Sequence, residues 1–122
     1  MAKHNELGQF GEQYAMEYLV TKGYTIRETN WRCGKVEIDI VAEKDGRIVI
    51  VEVKTRSTDV IYPEDAVDRK KMLNLVRAAN AYMNFYDLPH EVQFDIISII
   101  GKIDDFELEH IPDAFLPPLK TY

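Results

Sequence analysis

The spacing of apolar positions changes several times along the chain, and each change marks an element. Over residues 6–22, "ELGQFGEQYAMEYLVTK", Leu7, Gly11, Tyr14, Ala15, Tyr18 and Leu19 recur at helical spacing, which predicts a helix stopped by Gly23. "YTIRETNWR" reads as a strand running into a loop. Residues 36–43 and 47–54 are rich in Ile and Val and read as two strands. "STDVIYPED" is loop. "AVDRKKMLNLVRAANAYMNFY" predicts a long helix whose stripe is Leu73, Val76 and Met83 with Met72, Ala79, Tyr82 and Tyr86, ended by Pro89. "VQFDIISII" is apolar over most of its length and reads as a buried strand, and "FELEHI" alternates as a shorter one. Pro112, Pro117 and Pro118 leave the tail irregular.

The predicted order is therefore α-β-β-β-α-β-β, with no repeats and no linker, so residues 1–122 read as a single domain. A helix precedes a strand meander and another crosses over before the fourth strand. This order predicts an α/β fold, a central mixed β-sheet flanked by helices.

Asp39, Glu52 and Lys54 break the apolar pattern of the two central strands. Asp45-Gly46 is a hairpin signal, because a type I′ turn needs positive φ at both positions. That turn pairs Lys44 with Arg47, and counting outward sets Ile40 against Val51, Asp39 against Glu52 and Glu37 against Lys54. Strict alternation puts Glu37 and Asp39 on one face and Val36, Ile38 and Ile40 on the other. Opposed Cβ atoms on antiparallel strands lie about 4.5–5.5 Å apart, so the hairpin presses two carboxylates together beside a lysine. Such a pair is accommodated by a proton with a raised pKa, by a basic neighbour such as Lys54, or by a divalent cation between the oxygens. The plain alternative is a cross-strand ion network on an exposed sheet face. Continuous runs such as "RIVIVEV" belong to strands covered on both faces, where a charge needs a reason. Glu12 lies at the edge of the first helix's apolar stripe, within reach of the sheet, and Gly8 and Gly11 would let that helix approach closely. "GQFG" lacks the strand–turn–helix setting of a phosphate loop.

Composition narrows the function classes. At 122 residues with 46% apolar and 30% charged positions, the chain has the make-up of a water-soluble domain. No stretch is apolar enough to span a membrane and the N-terminus is polar, so a cytoplasmic protein without a secretory signal is expected. The single Cys33 excludes an internal disulfide or a cysteine metal cluster and reads as a small apolar residue. A net charge of −6 argues against a generic nucleic-acid binder. The acids crowd the region after Tyr86, however, and basic residues cluster earlier: Arg27, Arg32 and Lys35; Lys54 and Arg56; Arg69, Lys70 and Lys71. His4, His90 and His110 show no ligand spacing and read as surface or loop residues. Trp31 either caps the core or stacks on a base. Asp95, inside "FDII", reads as a structural or supporting carboxylate.

The run "GEQYAMEYLVTKGYTIRETNWRC…VEIDIVAE…IVIVEVKTR…AVDRKKMLNLVRAANAYM…FDIISI" resembles the YraN family, also called UPF0102, over roughly residues 7–115. That family is similar to the restriction-endonuclease-like superfamily, which carries a PD-(D/E)xK motif and includes Holliday-junction resolvases. The resemblance implies a restriction-endonuclease-like fold and a metal-dependent phosphodiesterase site. Asp39 then matches the metal-binding aspartate, Glu52 the acidic ligand, Lys54 the lysine, and Glu12 a glutamate on the first helix. Ile38, not Pro, precedes Asp39, a position where the superfamily varies.

The expected function is a Mg²⁺- or Mn²⁺-dependent nuclease acting on DNA, including branched or repair intermediates, or on RNA. Asp39, Glu52 and the Val53 carbonyl would hold the ion. Lys54 would orient water or meet the phosphate, and Glu12 would complete the shell. Arg32, Arg56, Arg69, Lys70 and Lys71 would contact the nucleic-acid backbone. Likeness to junction resolvases adds a homodimer as an expected assembly. The alternative is a non-catalytic module that keeps the fold and binds nucleic acid or a protein partner.

Overall fold

Asp45 (φ 53°) and Gly46 (φ 77°) form the tight turn that their sequence predicts, and Lys44 pairs with Arg47 across it. A computed structural model of the chain describes residues 2–57 and 69–114, with side chains from Leu7 onward. Beyond Ser57, the expected loop "STDVIYPED" lies outside the described residues, as do the tail beyond Ala114 and the His4 side chain. The elements are α1 (Ala2–Thr21), β1 (Thr25–Cys33), β2 (Val36–Lys44), β3 (Arg47–Arg56), α2 (Arg69–Phe85), β4 (Glu91–Lys102) and β5 (Asp105–Ile111), in the predicted order. They form one five-stranded sheet in the order β1-β2-β3-β4-β5. β3 and β4 run parallel, joined through α2, and the other neighbours are antiparallel, so the sheet is mixed.

β3 is the most enclosed strand, with Ile48 to Glu52 all buried, because each helix covers one face of it. On one face Ala15 and Leu19 of α1 pack on Ile40, Ala42, Val49, Val51, Ile97 and Ile99. On the other, Leu75, Ala78, Ala79, Tyr82 and Met83 of α2 pack on Ile38, Val41, Ile48, Ile50 and Phe94. The stripe of α2 thus includes Leu75 and Ala78, which the spacing argument left out, while Tyr86 is exposed.

One helix stops as its sequence suggests and the other does not. Gly23 (φ 92°) ends α1 as expected, with the Tyr24 N–H donating to the Leu19 carbonyl at 3.0 Å. At the end of α2 the same bond runs from the Leu88 N–H to the Met83 carbonyl at 3.0 Å, around Asp87 in a left-handed conformation (φ 51°). That cap, rather than Pro89, closes the helix. β1 is also longer than expected. It pairs with β2 as far as Cys33–Val36, so the predicted loop around Trp31 is strand. Among the described residues no helix is long and apolar enough to cross a membrane.

Candidate active site

The backbone ladder between β2 and β3 runs from Lys44–Arg47 to Ile40–Val51 and ends there. Past that rung β2 stays paired with β1, through Ile38–Trp31, Glu37–Arg32 and Val36–Cys33. β3 stays paired with β4 as far as Arg56–Ile100. The sheet therefore forks between its second and third strands, and Asp39 is the first β2 residue in the fork. Its Oδ2 accepts the Val53 N–H at 2.8 Å. A peptide group at the mouth of a fork loses its strand partner and needs another acceptor, which the carboxylate supplies. The predicted Asp39–Glu52 and Glu37–Lys54 rungs do not form. Glu37 meets Arg32 on β1 instead, at 3.6 Å.

Strict alternation also fails at this point. Ile38 packs in the α2 core and Ile40 in the α1 core, although two residues apart on an ideal strand share a face. The cause lies opposite, in β1. Thr29 pairs with Ile40 and Trp31 with Ile38, which leaves Asn30 across from Asp39, and Asn30 has φ 53°. Asn enters this left-handed region more readily than most residues. Its amide Nδ2 donates to Glu12 Oε1 at 3.1 Å. Asn30 is thus a site residue that the sequence reading missed, and its signal was an Asn in the middle of a strand run.

α1 brings Glu12 to the fork because Gly11 lies against the β3 surface: a Cβ there would collide with the Thr55 methyl. Gly8 has open space around it and plays no such part. Glu12 and Asp39 line one cleft of about 290 Å³, together with Gln9, Gln13, Thr29 and Asn30. Glu52 approaches from the α2 side and is only 7% exposed. Its Oε2 lies 2.6 Å from Lys71 Nζ and 3.9 Å from Lys54 Nζ. A buried carboxylate needs such partners.

The charges are unbalanced toward the acids. Burial, then the nearby Glu52, pushes the Asp39 carboxyl up to about 7, with Glu12 and Glu37 adding to it and the Val53 N–H opposing. Glu12 is raised as well, by burial and by Glu37 and Glu52. Burial works to lower the Lys71 ammonium, but Glu52 and Asp39 outweigh it and leave it raised. Four carboxylates and two lysines thus share one electrostatic neighbourhood.

The other expected contacts divide. Lys71 contacts Glu52 in this cluster. Arg69 and Lys70, beside it in the first turn of α2, are exposed, and so is Arg32. Arg56 lies further along β3, with its Nε buried and without a hydrogen-bond partner among the described residues. Trp31 caps the core, edge-on to Tyr82 at 5.1 Å. Cys33 packs at the edge of the same core. His110 is not a loop residue. It lies on β5 with its side chain 10% exposed, and its Nε2 is 2.7 Å from Asp95 Oδ2. His90 contacts Glu43 at 3.5 Å, away from the fork.

Among the described residues no three His, Cys, Asp or Glu side chains converge into a ready-made metal cage. The donor set suits a hard cation of the magnesium kind nonetheless. Mg²⁺ takes one or two carboxylates and fills its shell with water and phosphate oxygens. Asp39 and Glu52 provide two such carboxylates at the fork, in a cluster with an excess of acid groups. Val53 enters this region through its N–H, which is committed to Asp39.

Comparison with known proteins places the chain in a family. The model of "Uncharacterised protein family UPF0102" matches residues 11–99, which include Glu12, Asp39, Glu52, Lys54 and Lys71. A UPF0102 protein of Bacteroides thetaiotaomicron is 52% identical over 98% of this chain and 99% of its own length. One from Bacteroides fragilis is 51% identical over the same shares. One from Flavobacterium psychrophilum is 50% identical over 94% of this chain and 98% of its own. The chain belongs to the uncharacterised protein family UPF0102.

Proposed function

We propose that the protein is a metal-dependent nuclease that hydrolyses phosphodiester bonds in DNA. What supports this reading is the fork, where Asp39 is near enough to Glu52 for that charge to raise its pKa, and Glu52 in turn contacts Lys71 and Lys54. When bound, Mg²⁺ or Mn²⁺ would supply an activated water and neutralise charge on the phosphoryl oxygens. Asp39 and Glu52 hold the ion. Lys54 orients the attacking water or meets the non-bridging oxygens, and Glu12, steadied by Asn30, borders the path of that water. The Val53 N–H fixes one oxygen of Asp39 and so limits the rotation of that carboxylate. Arg32, Arg69 and Lys70 contact the phosphate backbone without reading sequence. A restriction-endonuclease-like relationship and a homodimer working on branched or repair-intermediate DNA belong to the same proposal.

The test is cleavage by the purified chain with Mn²⁺ or Mg²⁺, using linear duplex, four-way junction, single-stranded DNA and RNA. Metal-dependent cutting that disappears in Asp39→Asn and in Glu52→Gln supports the reading. A chain that cuts none of them with either metal refutes it. Sedimentation with and without a junction reads the dimer.

One observation favours the alternative of a non-catalytic binding module. Lys71 satisfies Glu52 at 2.6 Å with no ion required. Saturable Mn²⁺ binding lost in Asp39→Asn speaks for the nuclease, and its absence for the module.

A further inference from the structure

Glu52 Oε2 is approached by two ammonium groups of different origin. Lys54 follows it by two residues on the same strand, shares its face, and stands at 3.9 Å. Lys71 comes from α2 and stands at 2.6 Å, so the shorter contact is made by the residue from the other element. The two lysines also differ in freedom. The Lys54 side chain is 16% exposed and that of Lys71 is 37% exposed. Lys71 precedes the buried stripe of α2, which begins at Leu75, so its flexible stem swings into solvent without disturbing core packing.

From this geometry we infer that Lys71 and a divalent cation compete for Glu52, so that metal binding at the fork is coupled to withdrawal of Lys71 from β3. The inference rests on the metal-dependent reading proposed above and adds a regulating residue to it. An ammonium in contact with a carboxylate oxygen and a divalent ion on the same carboxylate repel strongly at such range, more so where burial lowers the local dielectric. One of them leaves, and the tethered lysine has an exit. Once displaced, Lys71 needs another anion. A phosphodiester entering beside Lys54 supplies one. Metal and phosphate backbone then bind cooperatively, because the metal releases Lys71 for the phosphate and the phosphate draws Lys71 off Glu52.

The experiment uses the full chain without cleavage. Mn²⁺ affinity is measured by calorimetry and by electron paramagnetic resonance for the wild type, Lys71→Met and Lys71→Arg, alone and with a nonhydrolysable thymidine dinucleotide. Lys71→Met keeps the stem and removes the charge, and is expected to tighten Mn²⁺ binding about tenfold, within the usual range of linked sites. Lys71→Arg is expected to stay near the wild type. The dinucleotide is expected to strengthen Mn²⁺ binding several-fold more in the wild type than in Lys71→Met, where only direct contact of the ion with phosphate remains. Equal Mn²⁺ affinity in wild type and Lys71→Met overturns the inference and leaves the metal site standing. No Mn²⁺ binding in either overturns both. A second readout needs no variant: the Lys71 ammonium resonance of the wild type, followed by NMR during a Mg²⁺ titration, should lose its hydrogen-bonded signature at saturation. If it persists unchanged while Mg²⁺ binds, the competition does not occur.

Discussion

The Val53 N–H donates to Asp39 Oδ2 at 2.8 Å, just past the last backbone rung between β2 and β3. One carboxylate therefore caps the fork and contributes negative charge to the cluster inside it. The two roles separate by substitution. Asp39→Asn keeps an oxygen for the Val53 N–H, whereas Asp39→Ala leaves that donor at the fork without its acceptor. Urea denaturation at pH 8 should show Asp39→Ala less stable than Asp39→Asn by about 1–3 kcal/mol. Both should lose the proposed Mn²⁺ binding. Equal stability of the two variants would mean that the hydrogen bond does not support the fork.

Stability should also depend on pH in the sense opposite to that of a salt-bridged aspartate. The Asp39 carboxyl is raised from its ordinary 3.8 to about 7 in the folded chain, so between those values the native state holds more protons than the unfolded one. Stability then falls as pH rises through that window, and the loss is complete above it. Raised Glu12 shares in the effect. Melting temperatures of wild type and Asp39→Asn, measured from pH 4 to pH 9, should diverge as pH rises through roughly that window and run parallel above it, the Asn variant being the more stable by about 1–3 kcal/mol. Saturating Mg²⁺ should narrow the gap by stabilising only the wild type.

Much of the fold was legible because its signals are local. Asp45-Gly46 fixed the register of the central hairpin as far as Ile40–Val51, and Gly23 fixed the end of α1. The fork was not legible, because it depends on what β1 and β4 do to their neighbours. Counting from the turn assumes a continuous ladder, and that assumption put Asp39 on a rung with Glu52. The twist at Asn30 and Asp39, which sends Ile38 and Ile40 to different cores, has no signature in a period-two pattern beyond the Asn itself. The sequence marks Lys71 only as a phosphate-backbone contact for the same reason: a helix position says nothing about which strand carboxylate lies beneath it.

Close packing of α1 on β3 rests on Gly11. A Cβ at that position would run into the Thr55 methyl, with the Thr55 Cβ at 3.4 Å and Ile99 Cδ1 at 3.5 Å also near. Gly11→Ala should therefore lift the helix locally and lower stability by about 1–3 kcal/mol, despite the better helix propensity of Ala. It should also loosen the Glu12–Asn30 contact. Thr55→Ser removes the obstructing methyl and should restore most of the loss in the double variant, a coupling that a double-mutant cycle by thermal melting measures directly. An additive cycle would place the strain somewhere other than this contact.

On the α1 face, in the same cross-strand row as Ile40 and Val51, Asp95 is 1% exposed and organises a network that the fork does not use. Its Oδ1 accepts from Gln93 Nε2 and from the Asp113 N–H, both at 2.9 Å. Its Oδ2 meets the Tyr24 hydroxyl at 3.2 Å and His110 Nε2 at 2.7 Å. With Asp95 accepting, His110 Nε2 carries the hydrogen, and in the neutral ring Nδ1 is left to accept from the Tyr18 hydroxyl at 3.0 Å. Tyr24, which leads into β1, is thus tied with β4 and β5 through one carboxylate, and α1 joins them through Tyr18 and His110. Asp95→Ala takes the acceptor from four donors at once, of which the Tyr24 hydroxyl is buried, and should cost about 3–5 kcal/mol, as removing one side of a buried charged network does. Asp95→Asn keeps two donors satisfied but sets its amide hydrogens against other donors, and should fall between Ala and wild type. Hydrogen exchange should locate the loss in β5, the edge strand held by His110. Mn²⁺ affinity of the molecules that remain folded should match the wild type, because none of the Asp95 hydrogen bonds reaches Asp39 or Glu52. A changed metal affinity in Asp95→Asn would instead mean that β4 carries strain from this network to the fork.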